Sequence, residues 1–531
     1  MSEELVVLHS NVVIEPLVAR WHAWSHLISP ATFAMNIPFR HLTLLESFVT
    51  SPDIHAAACK TPSMRGGPFV DLPASAVPAI KELIQETKLK RAQQIAFGEG
   101  LRNAYRQILK QADGFSLEPL YPTLPEAVRG YVELCYSLGG HPDLRVIEPL
   151  LYRSPLYDNS TQSAMIYRAS GDDRSFAFST PRLPNAQSIE LHRPFSDEIY
   201  DYLARLRNEP RPAAEVLEKL ELSGSQAELM RSFLTPANTS ATKPLPHPGT
   251  TRWRYFGHAC VLVEAADGAN MLVDPVIAYE AGNGIKRFTL SDLPEHIDYV
   301  VLTHNHADHV LLETLLALRY KVGTILVPAG GGGIADPSLK LMLEAVGFEN
   351  VVELHPMGSV KNGEMQITAL PFMGEHGDLD VRSKAAWFVE TASSRLLFAA
   401  DSNNIEPKLY DILRSILGPI DTLFIGMECA GAPVSWTYGP LFPIALDRKK
   451  DQTRRLDGSD FARASKAIES MGCKEVFIYA MGAEPWLQFV TAIDTSPTTA
   501  PMVNSEQLIT ACKGQGMTSE RLYGHADVTM A

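Results

Sequence analysis

The segment Tyr299-Val300-Val301-Leu302-Thr303-His304-Asn305-His306-Ala307-Asp308-His309 decides the fold. Tyr299–Thr303 is a continuous run of apolar and β-branched residues, the pattern of a strand buried on both faces. The residues that follow His309, VLLETLLALRY, have helical spacing. Four metal-ligating side chains, His304, His306, Asp308 and His309, therefore lie on a strand-to-helix loop. Imidazole nitrogen and carboxylate oxygen are donors for zinc or iron. Alternation along the chain puts His304 and His306 on one side, toward one metal ion. Asp308 and His309 fall where the backbone turns into the helix and can face a second ion. Two ions held roughly 3.5–4 Å apart are the common outcome of such a cluster. A solvated loop with three histidines by coincidence does not account for ligands this dense behind a buried strand.

Working outward, Trp253–Phe256, Cys260–Glu264 and Met271–Val273 are predicted as short strands, with a turn at Asp267-Gly268. Downstream, Thr324–Pro328 is a strand, Pro337–Val346 a helix, and Trp387–Glu390 with Leu396–Ala400 a hairpin. Strands and helices interleave, as in layered α/β domains. Upstream, the Pro-, Thr- and Ser-rich stretch from Thr235 to Thr251 is predicted to be a linker. It divides the chain into an α+β N-terminal domain, residues 1–240, and a metal domain, residues 250–531. In the first, Ala79–Gln111 and Glu126–Leu138 show helical spacing, and Ser175–Thr180 is read as a strand. Ser196-Asp197-Glu198 opens a helix through Leu206, which Pro210 and Pro212 stop, and two short helices follow to Phe233. That succession resembles a winged-helix-like module, here a packing or protein-docking element.

The net charge of −14 argues against a nucleic-acid-binding face, which is normally basic. The six cysteines are scattered without a CxxC spacing, which fits a reducing cytoplasm. The N-terminus lacks the basic-then-apolar pattern of a signal peptide, and no apolar run reaches the roughly 18 residues of a membrane span. The expectation is a cytoplasmic protein that contacts neither membrane nor nucleic acid.

The His cluster, preceded by Gly257-His258 and Asp274-Pro275, resembles the metallo-β-lactamase superfamily, whose fold is an αββα sandwich with metals at the sheet edges. The resemblance implies that Asp274 orients a ligand histidine and that Asp401, after the strand LLFAA, bridges both ions. Zinc hydrolases of the superfamily supply further histidines. Here the corresponding segments read PFMGEHG (371–377) and FIGMEC (424–429), and YAMGAE (479–484) contains no histidine. Carboxylates stand where imidazoles are expected, and hard anionic oxygen favours iron over zinc.

With Glu375 in GEHG and Asp401 in FAADSNN, the chain resembles the diiron β-hydroxylases that act with non-ribosomal peptide synthetases in antibiotic biosynthesis. The resemblance spans nearly the whole chain. It implies two Fe ions, one held by His304, His306 and Glu375 and the other by Asp308 and His309, with Asp401 between them and Glu428 completing the second. Glu375 and Asp401 are then the catalytic carboxylates. The implied activity is O2-dependent β-hydroxylation of an aminoacyl thioester on a carrier domain, with an external two-electron donor. A reductase and a homodimer built through the N-terminal domain are further implications. The alternative is a zinc-dependent hydrolase, a lactonase or phosphodiesterase. His376 is read as a competing ligand to Glu375, His258 as a residue that shapes the first hairpin, and Glu484 as undecided.

Overall fold

The computed structural model describes residues 5–237, 250–282 and 284–530. From Arg252 onward the chain forms two seven-stranded sheets. The first runs in the order Val351–Leu354, Val322–Pro328, Ile297–Val301, Asn270–Val273, Cys260–Glu264, Arg252–Gly257 and Ala526–Thr529. Its pairings are parallel from Asn270–Val273 to Val351–Leu354 and antiparallel on the other side. The second runs Ser359–Asn362, Met365–Leu370, Ala386–Glu390, Arg395–Phe398, Thr422–Gly426, Glu475–Tyr479 and Thr518–Arg521, with the same change from antiparallel to parallel.

The sheets pack face to face. Trp253, Tyr255, Met271 and Val301 of the first meet Ile367, Trp387, Phe398 and Phe424 of the second. Trp387 ties the layers together by donating its indole N–H to Leu302 O at 3.0 Å. Helices cover the outer faces. Lys408–Leu417, Phe461–Met471 and Ala500–Gly514 lie on the second sheet. Leu312–Leu318 and Leu339–Ala345 lie on the first. This is the αββα sandwich. The strands read from the sequence, among them Cys260–Glu264 and Thr324–Pro328, lie in these sheets, because burial on both faces leaves uninterrupted apolar runs there.

Before Pro236 the structure is mixed. Trp21–His22, Val12–Val18, Gln162–Arg168 and Ser188–Leu191 form a four-stranded sheet, and Arg211–Pro212, Leu5–Leu8 and Leu234–Pro236 a three-stranded one. The second of these packs with helices Ile199–Arg205, Ala213–Lys219 and Gly224–Ser232, where the winged-helix-like succession is predicted. Residues of both halves, among them Leu8, Val12, Leu302 and Leu315, share one apolar cluster.

Three expectations are corrected. Glu126–Leu138 is not a helix: a short turn at Glu126–Val128 leads into strand Val132–Tyr136, paired with Pro142–Val146. Val132 and Leu134 are buried on one side while Glu133 is exposed, a period of two, and Gly139-Gly140 turns the hairpin. Ser175–Thr180 is an irregular turn whose backbone bonds to a distant loop, Ala177 N donating to Phe489 O at 2.7 Å. The linker begins later than Thr235, because Thr235 and Pro236 pair with Val7 and Val6, and residues 238–249 of it lie outside the described residues.

Candidate metal centre

The site lies where several parallel strands of the sandwich end, the usual place for ligands in open α/β sheets. His304, His306, Asp308 and His309 follow strand Ile297–Val301. Asp274, at the end of the neighbouring strand, anchors their loop. Its carboxylate accepts from Thr303 N at 2.8 Å and from Thr303 Oγ1 at 2.6 Å. His309 Nδ1 lies 2.8 Å from the same carboxylate. An ionised carboxylate only accepts, so Nδ1 carries the proton and Nε2 keeps a lone pair. That lone pair faces Asp401 Oδ2 at 3.2 Å. The same logic orients His304. The Thr303 hydroxyl proton goes to Asp274, so the 3.0 Å contact between Thr303 Oγ1 and His304 Nδ1 is donated by the ring. His304 Nε2, buried and without a hydrogen-bond partner, lies 3.8 Å from Glu375 Oε1 and 3.9 Å from Asp401 Oδ2.

Glu375 follows strand Met365–Leu370 and Asp401 follows strand Arg395–Phe398, both of the second sheet. Glu375 Oε1 sits 2.6 Å from His306 Nδ1, and His306 Nε2 is 3.2 Å from the Tyr438 hydroxyl. Donor atoms converge within 4.8 Å in three groups: His304, His306 and Glu375; His304, His309 and Asp401; His258, Asp308 and His309. Lone pairs of imidazole and carboxylate facing each other require a cation between them. Without a metal, that cation is a proton. Burial opposes it, yet Asp401 and Asp274 hold the His309 pKa well above the ordinary value, and Glu375 raises that of His306. Buried and without hydrogen-bond partners, His304 Nε2 and Asp401 Oδ1 complete a donor set that fits metal ions.

Backbone strain concentrates here. His258, Asp274, Glu375 and Ala400, next to Asp401, all have positive φ, of +52°, +36°, +70° and +50°. Non-glycine residues hold such angles only where the surroundings over-determine them. Gly426 belongs to the same arrangement: a Cβ there would stand 2.6 Å from Asp401 Oδ1, so only glycine leaves room for that carboxylate.

His258 does shape the first hairpin, as its φ shows, and it also belongs to the site. Gly482 N donates to its Nδ1 at 3.2 Å, which puts the ring proton on Nε2, 3.3 Å from Asp308 Oδ2. His258 thus stands beside Asp308 and groups with Asp308 and His309. The sequence signal was a histidine in a tight turn, too common to single out. His376 lies outside the three donor groups, its Nδ1 2.8 Å from Glu375 Oε2. Glu428 stays outside the three donor groups. It lines the cavity with Oε2 unpartnered, and burial pushes its pKa up to about 7. Glu484 accepts from the Tyr255 hydroxyl at 2.5 Å inside the protein, away from the donor groups.

A cavity of about 860 Å³ reaches the cluster and is lined by His306, Asp308, Glu375, Asp401 and Glu428. Trp24, Arg40, Arg65 and Phe178 from the N-terminal half line the same cavity.

Sandwich and donor set together define a dinuclear metalloprotein of the β-lactamase superfamily fold, and residues 269–432 match the model of the β-lactamase superfamily domain. Residues 7–237 match the diiron non-heme β-hydroxylase N-terminal domain. The chain is 37% identical over 523 residues to the 4-amino-L-phenylalanyl-[CmlP-peptidyl-carrier-protein] 3-hydroxylase of Streptomyces venezuelae, covering 97% of this chain and 98% of the relative. The crystal structure of CmlA, a diiron β-hydroxylase from the same organism, superposes with a TM-score of 0.91 at 36% identity over 100% of both chains. A metal-dependent hydrolase of Enterococcus faecalis shares 43% identity over only 54 residues, 10% of this chain and 22% of that one. The protein belongs to the CmlA family of diiron β-hydroxylases, and that family implies two iron ions at the centre described above.

Proposed function

We propose that this protein uses O2 to hydroxylate Cβ of an aminoacyl group held as a thioester on a carrier domain of a non-ribosomal peptide synthetase. The observation that carries this reading is that Glu375 and Asp401 each join histidines in two donor groups that share His304. His304, His306 and Glu375 would hold one iron, Asp308 and His309 the other, with Asp401 between them and Glu428 within the same cavity. Two iron ions there supply the oxidation: O2, two electrons and two protons convert the C–H bond to C–OH and release water. The electrons come from an external reductase. The chain itself orients the ligands through Asp274 and Thr303, and walls the centre off from bulk water on the side of Trp24 and Phe178.

Residues 250–531 are the metal domain in this reading. Residues 1–240 supply part of the cavity wall, the carrier contact and a homodimer interface. Exposed Phe115 and Leu138 are the apolar side chains there with which to test a dimer. No described helix is long and apolar enough to cross a membrane, and all six cysteines are free, consistent with work in the cytoplasm.

Metal analysis and turnover with an aminoacyl-loaded carrier test the reading together. Two irons per chain, with hydroxylated product only in the presence of O2 and a reductant, are expected. Stoichiometric zinc with hydrolytic, O2-independent turnover would mean that the zinc-hydrolase alternative is correct.

A further inference from the structure

The metal ligands line the cavity. Arg40 lines the same cavity and is held in a manner the proposed chemistry does not explain. It lies in a π-helical turn, Ile37–His41, a rare conformation that occurs often at functional sites. Its Nη2 donates to Trp436 O at 2.6 Å and to Thr437 O at 3.0 Å. Nε and Nη1 make no hydrogen bond with any described residue, and no described carboxylate lies within ion-pair distance. Burial alone accounts for its lowered pKa, about 10, with no neighbouring anion to offset it. A guanidinium facing a cavity with its remaining donors unused is an unfilled half of a recognition pair.

Its neighbours are aromatic. Arg40 Cζ lies 5.8 Å from the Trp24 ring centre, Trp24 packs against Phe178 at 4.9 Å, and Phe178 against Trp436 at 5.4 Å. All four line the cavity. They are also close to the metal ligands. Arg40 bonds to Thr437 O, and the next residue, Tyr438, places its hydroxyl 3.2 Å from His306 Nε2. A thioester substrate whose Cβ faces the donor cluster has its side chain within reach of this wall.

We propose that Arg40, Trp24, Phe178 and Trp436 form the subsite for the side chain of the hydroxylated residue, and that this side chain is an aromatic ring with a hydrogen-bond acceptor at its far end. A phenol or ring carboxylate accepts from the guanidinium. A ring amine offers mainly N–H donors to a group that has only donors itself. This chain therefore discriminates against the 4-amino ring named for its Streptomyces venezuelae relative. The inference rests on the carrier-substrate reading above.

The test is binding, measured by calorimetry on the iron-loaded protein without O2. The carriers are loaded with tyrosyl, phenylalanyl or 4-aminophenylalanyl groups, and the unloaded phosphopantetheinyl carrier is the reference. In the unaltered protein the tyrosyl carrier is expected to bind about tenfold more tightly than the 4-amino one, the scale of one charge-assisted hydrogen bond. In Arg40→Met, shown to be folded by its melting temperature, that preference is expected to collapse to within about twofold. Tightest binding of the 4-aminophenylalanyl carrier, or an unchanged preference in Arg40→Met, would overturn the subsite and leave the carrier reading standing. If no loaded carrier binds better than the unloaded one, the carrier reading itself fails, and the subsite with it.

Discussion

The two sides of the cavity are built by opposite strategies. The metal side is local: His304, His306, Asp308 and His309 occupy one loop, and Glu375, Asp401 and His258 join them from the ends or turns of neighbouring strands. The other side is assembled from distant parts of the N-terminal half, with Trp24, Arg40, Arg65 and Phe178 on separate elements. A metal centre needs fixed donor geometry, which strand ends supply. In the proposed reading the wall that meets the substrate lies apart in sequence from the loop that carries the ligands.

That contrast can be broken from the metal side first. Glu375 is buried among His304, His306 and His376, and their charges override the burial that would raise its pKa. Glu375→Ala is expected to abolish hydroxylation and to lower the iron content measured per chain, while the circular dichroism of the sandwich stays unchanged. Full iron occupancy with normal turnover in that variant would remove Glu375 from the centre. A smaller effect is expected where the two halves meet. Arg174 reaches from the N-terminal half to Glu313 on the helix that follows the ligand loop, in a bidentate pair at 3.0 and 2.7 Å, and also lies 3.3 Å from buried Glu15. Arg174→Met leaves both carboxylates without this partner and is expected to cost about 3–5 kcal/mol of stability in urea unfolding. A loss below about 1 kcal/mol would show that the shared apolar core alone holds the halves together.

The same contrast explains what could be read from the sequence. The central sandwich strands, such as Cys260–Glu264, and the His304–His309 loop were legible because local signals specify them: apolar runs buried on both faces, and four ligands in six residues. Glu375 and Asp401 were reached through family resemblance, and the structure brings them to the histidines. His258 was not recognised as part of the site, because its link to Asp308 depends on Gly482, more than 200 residues away along the chain. Val132–Tyr136 was mistaken for helix because a five-residue strand fits both periodicities. The wall formed by Trp24, Arg40 and Phe178 left no pattern at all, since those residues come together only when the halves pack.

Glu148 offers the finest probe of that packing. Its carboxylate bridges the two sides of the seam, accepting from Ser29 Oγ in the N-terminal half at 2.9 Å and from Ser338 N in the metal-binding half at 2.9 Å. Burial, the largest influence, pushes its pKa up to about 7. The folded state therefore binds a proton that the unfolded chain has released, and unfolding favours proton loss between the two pKa values. The stability this group contributes is fully present below its unfolded pKa and is lost as the pH rises through about 7. Between pH 5 and pH 8 the metal-free protein is expected to lose at most about 3 kcal/mol through this group, the upper limit for a shift of that size. Glu148→Gln keeps an acceptor oxygen at the seam and cannot ionise, so its urea midpoint should fall less over the same range. Parallel pH profiles for the two proteins would show that the seam accommodates the charged carboxylate at little cost.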